Sequence, residues 1–400
     1  DLAQGQRDVQ PQLVPWYERL GEVLRMRARY GEAAEAYTAM RAAADDPVAQ
    51  ARAWSELAWV QTLQGDHRAS LESAEQAERL AADAGPAGRA ALALALFRRA
   101  WAMYRLGDAA GSLPLDERAL ALSTELAGAA WRVQALSLIL LAALHATMGR
   151  FEQSEQACEQ ALALNRSWGD RRGVGVMLGN LGQSAIQRGD YAAAAARSLE
   201  ALAVAREMGD RDSETAYLTN LGAARVGLGE YAAAEADLRR IMEMMGAAHW
   251  GKLSLACTLL TEACLGQGKV AEALETARRA LAAGQETGER EFIAWAWRSL
   301  GNCRSRMARL GLPEGTAPPS EVPPAPSCYA ESLRIFTEIG SEAERARTMR
   351  NWARYELACG DRERGLAMWQ EARATFEKLN MPLEVARMDA EVGGTTNGNE

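Results

Sequence analysis

The residue types that most often perform chemistry are sparse in this chain, and their spacing assembles no site. Three histidines occur, His67, His145 and His249, and no two of them share a helix face. Six cysteines stand at 158, 257, 264, 303, 328 and 359. None forms a C-x-x-C pair, and none lies at metal-ligand spacing from a histidine, so they read as small buried residues of a reducing compartment. The nearest approach to a phosphate-binding loop is Gly266-Gln267-Gly268-Lys269-Val270. It lacks the first glycine and the closing Ser or Thr that would cradle a nucleotide. No nucleophile–base pair and no cluster of ligands emerges. The chain is therefore expected to be no enzyme, with no metal and no cofactor.

Side chains suited to binding are more informative. Two groups fall on one kind of helix. The first is apolar: Trp59, Leu94, Phe97, Trp101, Tyr104, Leu136, Ile139 and Leu140, flanked by Arg98 and Arg105. A contiguous exposed patch of this kind would mark an interaction site; the competing reading is that the superhelix is tight there and these residues simply pack. The second is polar and basic: Trp295, Arg298 and Asn302, followed by Arg347, Arg350, Asn351 and Arg354. Guanidinium groups in such a row suit a carboxylate or phosphate, which they can hold with paired hydrogen bonds. The competing reading of the second group is a solvated face with pairs inside one helix, such as Glu344 with Arg347.

The elements that must position these residues follow from internal repetition. Asn180-Leu181-Gly182 precedes Gly189-Asp190-Tyr191, and Asn220-Leu221-Gly222 precedes Gly229-Glu230-Tyr231. A glycine accepts the left-handed conformation that ends a helix. The acidic residue after it suits the start of the next helix, and small residues let the two helices pack closely. Turn positions recur about every 40 residues, at Ala28, Gly65, Gly107, Gly149, Gly189, Gly229, Gly268, Ala308 and Gly360. Nine helical hairpins follow. Ala and Leu dominate the 48% hydrophobic content, aromatics are only 6%, and this favours helices over a sheet core. The widest step, from Ala308 to Gly360, holds a proline-rich insertion over residues 311–327 within repeat eight. Pro114 is expected to kink or delay its helix. A last helix, about Leu383 to Val392, would cover the open end.

These motifs resemble the tetratricopeptide repeat (TPR). The long repeats and the Gly-Asp-Arg repeat ends (Gly169-Asp170-Arg171, Gly209-Asp210-Arg211) are similar to the arrays of bacterial STAND regulators, signal-transduction NTPases that include MalT-type activators and prokaryotic NLR-like immunity proteins. The resemblance implies an all-α, right-handed superhelical solenoid of about nine TPR-type hairpins plus a C-terminal capping helix. It implies residues 15–392 as one superhelical domain, an N-terminal extension over 1–14 and a disordered tail over 393–400. It implies a cytoplasmic sensor that binds a protein or peptide trigger in its concave groove, and that relays to a covalently attached NTPase module outside this chain. Two alternatives stay open: a constitutive scaffold or co-chaperone-like adaptor for peptide segments, and a small-molecule inducer sensor of a transcription activator. Some TPR co-chaperones clamp a peptide's terminal carboxylate, and Arg298, Asn302 and Asn351 fall at matching positions.

Charge and hydropathy narrow the partners. The formal charge is −8, with lysine only at 252, 269 and 378, so the chain lacks the basic surface of a nucleic-acid binder. The longest apolar run, Ala135 to Ala146, is too short to span a bilayer, and no membrane contact is expected.

Overall fold

A computed structural model describes residues 2–148, 150–244, 250–312 and 322–396. All regular structure among them is helical. The helices are α1 (Leu2–Met26), α2 (Tyr30–Ala43), α3 (Pro47–Leu63), α4 (His67–Asp83), α5 (Arg89–Arg105), α6 (Ala109–Glu125), α7 (Trp131–Thr147), α8 (Phe151–Ser167), α9 (Arg171–Arg188) and α10 (Tyr191–Met208). They continue as α11 (Arg211–Leu228), α12 (Tyr231–Met244), α13 (Trp250–Gly266), α14 (Val270–Thr287), α15 (Arg290–Arg309), α16 (Ala325–Glu338), α17 (Glu342–Cys359), α18 (Arg362–Lys378) and α19 (Pro382–Thr396). Taken in order they make the nine hairpins of the repeat register, with α19 left over. The chain divides into two compact units, Asp1–Met177 and Leu178–Glu400, with the division inside α9.

The turns explain why the helices stop and restart where they do. Gly65, Gly107, Gly189, Gly229 and Gly268 all have positive φ, as does Ala28 at 55°. The aspartate that follows a turn glycine then caps the next helix: Asp66 accepts from Ala69 N at 3.0 Å, and Asp190 from Ala193 N at 3.0 Å. Glu289, one methylene longer, makes no such cap at the start of α15. Aspartate places its carboxylate at the reach an N-cap requires.

Four expectations are corrected. Ala308 is helical, because α15 runs on to Arg309 and Gly311 takes the left-handed turn at φ 61°. Gly360 has φ −121° and is not left-handed. Pro114 neither delays nor interrupts α6, which begins at Ala109 and continues to Glu125. The last helix extends to Thr396, past Gly393 where the tail was expected to begin. Residues 313–321 of the proline-rich insertion, Gly149, His249 and residues 397–400 lie outside the described residues.

Alanine fills most interior positions and so lets helices approach closely. Ala33, Ala53, Ala93, Ala100, Ala277 and Ala353 are all fully buried, with Tyr37, Phe97, Phe336 and Phe376 as the large core residues. The segment Ala127–Thr147 is apolar and long enough to cross a membrane by composition. Here Leu140 and Leu144 of α7 are fully buried against Leu96 and Phe97 of α5, so its apolarity supplies the core of unit 1.

Candidate functional site

Inner helices of one unit touch one another as well as their hairpin partners, α3 with α5 and α5 with α7 in unit 1, α11 with α13, α13 with α15 and α15 with α17 in unit 2, and the candidate residues lie on these helices and on α19. In unit 1 this contact draws the apolar group together. Trp59 of α3 meets Trp101 of α5 edge-on, with ring centroids 5.6 Å apart, and Trp101 is flanked by Phe97 at 5.9 Å and Tyr104 at 6.3 Å. Phe97 and Leu140 are fully buried, Leu94 and Leu136 pack against the same cluster, and Ile139 is half-buried. Arg98 is only 7% exposed and lies over the Trp59 ring at 4.4 Å, with Glu56 3.7 Å away. Burial lowers its pKa, and Glu56 opposes that shift. The apolar group is therefore an aromatic cluster shared by consecutive inner helices, with Phe97 and Leu140 buried and Trp59, Leu94, Trp101, Tyr104, Leu136 and Ile139 half-buried. Neighbouring alanines bring these helices close enough to cover one another's aromatic side chains.

In unit 2 the basic group does come together, and beyond the expected Glu344–Arg347 pair it takes partners from neighbouring inner helices. Glu344 of α17 accepts from Trp295 Nε1 at 2.8 Å, from Arg298 Nη1 at 2.6 Å, and from Arg347 of its own helix. Glu384 of α19 accepts from Arg347 Nε at 3.1 Å and Arg350 Nη1 at 2.6 Å. Arg354 pairs with Glu391 through Nε at 2.9 Å. One charge ladder thus links α15, α17 and α19. Burial pushes both carboxyls up, but the guanidinium groups outweigh it. Arg298 and Arg347 hold Glu344 at a pKa of about 2, and Arg350, Arg347 and Arg387 hold Glu384 at about 2. Both are ionised at neutral pH.

Asn302 and Asn351 form the polar continuation. Asn302 Nδ2 donates to Glu262 Oε1 at 2.7 Å, while its Oδ1 accepts from Tyr329 Oη at 2.9 Å and Asn351 Nδ2 at 3.2 Å. Arg298, Asn302 and Asn351 do lie together, as a carboxylate clamp would require. The carboxylates they hold are the chain's own Glu344 and Glu262. Burial raises the Glu262 pKa, against the hydrogen bond from Asn302 and the charge of Arg298.

Glu344, Glu384 and Arg387 were not singled out from sequence. Their signal is the repeat itself, because Glu344-x-x-Arg347 recurs one forty-residue step later as Glu384-x-x-Arg387. Helix α19 therefore carries the inner-helix register, and it also covers the end of unit 2 by burying Met388 against Trp369 and Phe376. Elsewhere, Glu235, Cys264 and Glu272 bring ligand-type atoms within 4.8 Å of one another. Lys269 and Arg239 already pair with these carboxylates, and burial pushes the Cys264 thiol up to about 11, so the cluster reads as an ion-pair group.

This fold, with its inner helices carrying the polar ladder, defines a tetratricopeptide-type repeat array. The family model described as "Tetratricopeptide repeat" matches residues 135–167. No curated protein matches the chain in sequence at a significant level. Among solved structures, a Rap protein complexed with Competence and Sporulation Factor is similar at TM-score 0.61 and 13% identity, covering 92% of this chain and 99% of that one. The Rap conjugation gene regulator of plasmid pLS20, in complex with the Phr* peptide, is similar at TM-score 0.54 and 12% identity, covering 94% and 97%. A STAND protein with a tetratricopeptide repeat sensor from Pyrococcus horikoshii is similar at TM-score 0.57 and 12% identity, covering 69% of this chain and 44% of that one. At these identities the likeness is one of fold.

Proposed function

We propose that the chain is the ligand-sensing array of a STAND-type signalling ATPase, and that it takes an acidic protein or peptide segment on the inner helices of unit 2. The observation that carries this reading is the arginine ladder of Arg298, Arg347, Arg350 and Arg354 on adjacent inner helices. It presents guanidinium groups at helical spacing beside Trp295, and its present partners are carboxylates. A peptide bearing Asp or Glu offers the same chemistry. The STAND protein of similar fold is described as having such an array as its sensor. Binding would act on an attached nucleotide-binding module only through different affinities for its two states. A second reading, a free-standing peptide-binding array, draws on the Rap proteins, which match over nearly their full length and of which the pLS20 regulator is described in complex with the Phr* peptide.

A peptide array tests the shared part of both readings. Full-length chain is expected to retain Asp- and Glu-rich peptides over their Asn and Gln counterparts, and Arg298→Ala is expected to weaken retention about tenfold. Equal retention of both peptide sets would contradict the acidic reading. The genomic reading frame around this segment separates the two readings, because a Walker A motif in it is required by the first.

A further inference from the structure

Unit 2 returns onto itself. Arg347 Nη2 donates to the carbonyl oxygen of Gln187 at 2.8 Å, and Arg387 Nη2 donates to the carbonyl oxygen of Gly189. The Arg387 guanidinium also lies over the Tyr191 ring, 4.3 Å from its centroid. Helices α17 and α19 are thereby tied to the turn between α9 and α10, about 160 to 200 residues earlier in sequence. Gly189 is required at this join by its φ of 78°. A Cβ there would lie 2.8 Å from Arg387 Nη1 and would push that guanidinium aside.

In its direct ion pairs the join holds more cations than anions. Four guanidinium groups, Arg298, Arg347, Arg350 and Arg387, meet two carboxylates, Glu344 and Glu384. Two further carboxyls, Glu262 and Glu291, lie in the field of Arg298 without pairing with the join, and burial raises the pKa of both. The rest of the demand falls on main-chain carbonyls at the C-terminal end of α9, which carry only the partial charge of a helix terminus. Even so, Arg350 Nε is buried with no hydrogen-bond acceptor among the described residues, and Arg387 Nη1 has only Glu384 Oε2, 3.5 Å away and poorly aligned. Buried donors in that state are costly, and a charged acceptor binds a guanidinium roughly twice as strongly as a neutral one.

We propose that this join is a ligand-operated clasp. A carboxylate-bearing peptide segment takes Arg347 and Arg387 from the carbonyls of Gln187 and Gly189, and so releases the α9–α10 turn from α17 and α19. The inference rests on the acidic-peptide reading of the same face, and it adds what binding does to the array. Glu344 and Glu384 remain on their arginines, so the ladder holds while the clasp opens.

Hydrogen exchange on the full chain tests it, with decaglutamate as the probe and decaglutamine as the control. Arg387→Gln, and separately Tyr191→Leu, are expected to accelerate amide exchange over residues 185–191 and 382–391 about tenfold. Decaglutamate is expected to produce the same acceleration in the unaltered chain, and decaglutamine none. Unchanged exchange in both variants, with melting temperatures preserved, would overturn the clasp. Decaglutamate that binds by fluorescence anisotropy but leaves exchange unchanged would also overturn it, while the acidic-peptide reading stands. Failure of decaglutamate to bind, beside accelerated exchange in the variants, would overturn that reading instead, and with it the ligand's role in the clasp.

Discussion

At position 116 an aspartate occupies a fully buried site on α6, nine residues after the turn at Gly107. The same register position carries Tyr37, Ala74, Leu238 and Ala277 in other repeats. Ser137 lies beside it, yet neither Asp116 oxygen makes a well-formed hydrogen bond. Burial pushes the Asp116 pKa up to about 8, against the pull of Ser137. A carboxyl whose folded pKa lies above its unfolded value of 3.8 costs nothing below that value. The cost grows as pH rises from about 4 and levels off above about 8. Asp116→Asn, which removes the charge at constant shape, should therefore stabilise unit 1 at pH 8 by an amount on the order of a few kcal/mol. It should leave stability unchanged near pH 4. Thermal melts of the two proteins at pH 4 and pH 8 check this, and equal gains at both would contradict it. The residue scale is also where sequence reading lost most. Arg298, Asn302 and Asn351 were legible as a group, but their carboxylate partners were not. Charges on a helix face read as solvated unless the partner helix is known, and here it lies about 40 residues away.

At the scale of elements, the helix boundaries were largely written in the sequence, because a turn glycine and the aspartate after it leave a local chemical mark. Failures came where the mark was weak. Ala308 has no more reason to end a helix than any other alanine, and α15 passes through it to Gly311. The aromatic group of unit 1 left two readings open for another reason. Apolar residues at helical spacing look alike whether they line a groove or pack against the next inner helix, and only the Trp59–Trp101 contact decides. Packing between successive hairpins sets a further element-level expectation. A Cβ on Gly227 of α11 would lie 2.2 Å from the Tyr191 ring of α10. Gly227→Ala must displace that ring, and with it the aromatic face beneath Arg387. Overpacking of this kind costs about 1–3 kcal/mol. The midpoint of urea unfolding should fall accordingly, and an unchanged midpoint would show that the ring has room to move.

At the scale of the molecule, the chain divides its chemistry between two units with different interiors. Unit 1 spends its aromatics and Arg98 on packing, whereas unit 2 spends its arginines on a ladder of charges that closes through Arg347 and Arg387. Long-range pairing is the part a single sequence carries least legibly, since no local pattern announces which turn a terminal helix will meet. The central claim is that acidic segments bind on the inner helices of unit 2. Hydrogen exchange of the full chain with the tightest acidic peptide from the array tests it most directly. The account predicts slowed exchange at 295–302 and 347–354. Slowing confined to α3, α5 and α7 of unit 1, or bound peptide with no slowing in α15 and α17, would contradict it.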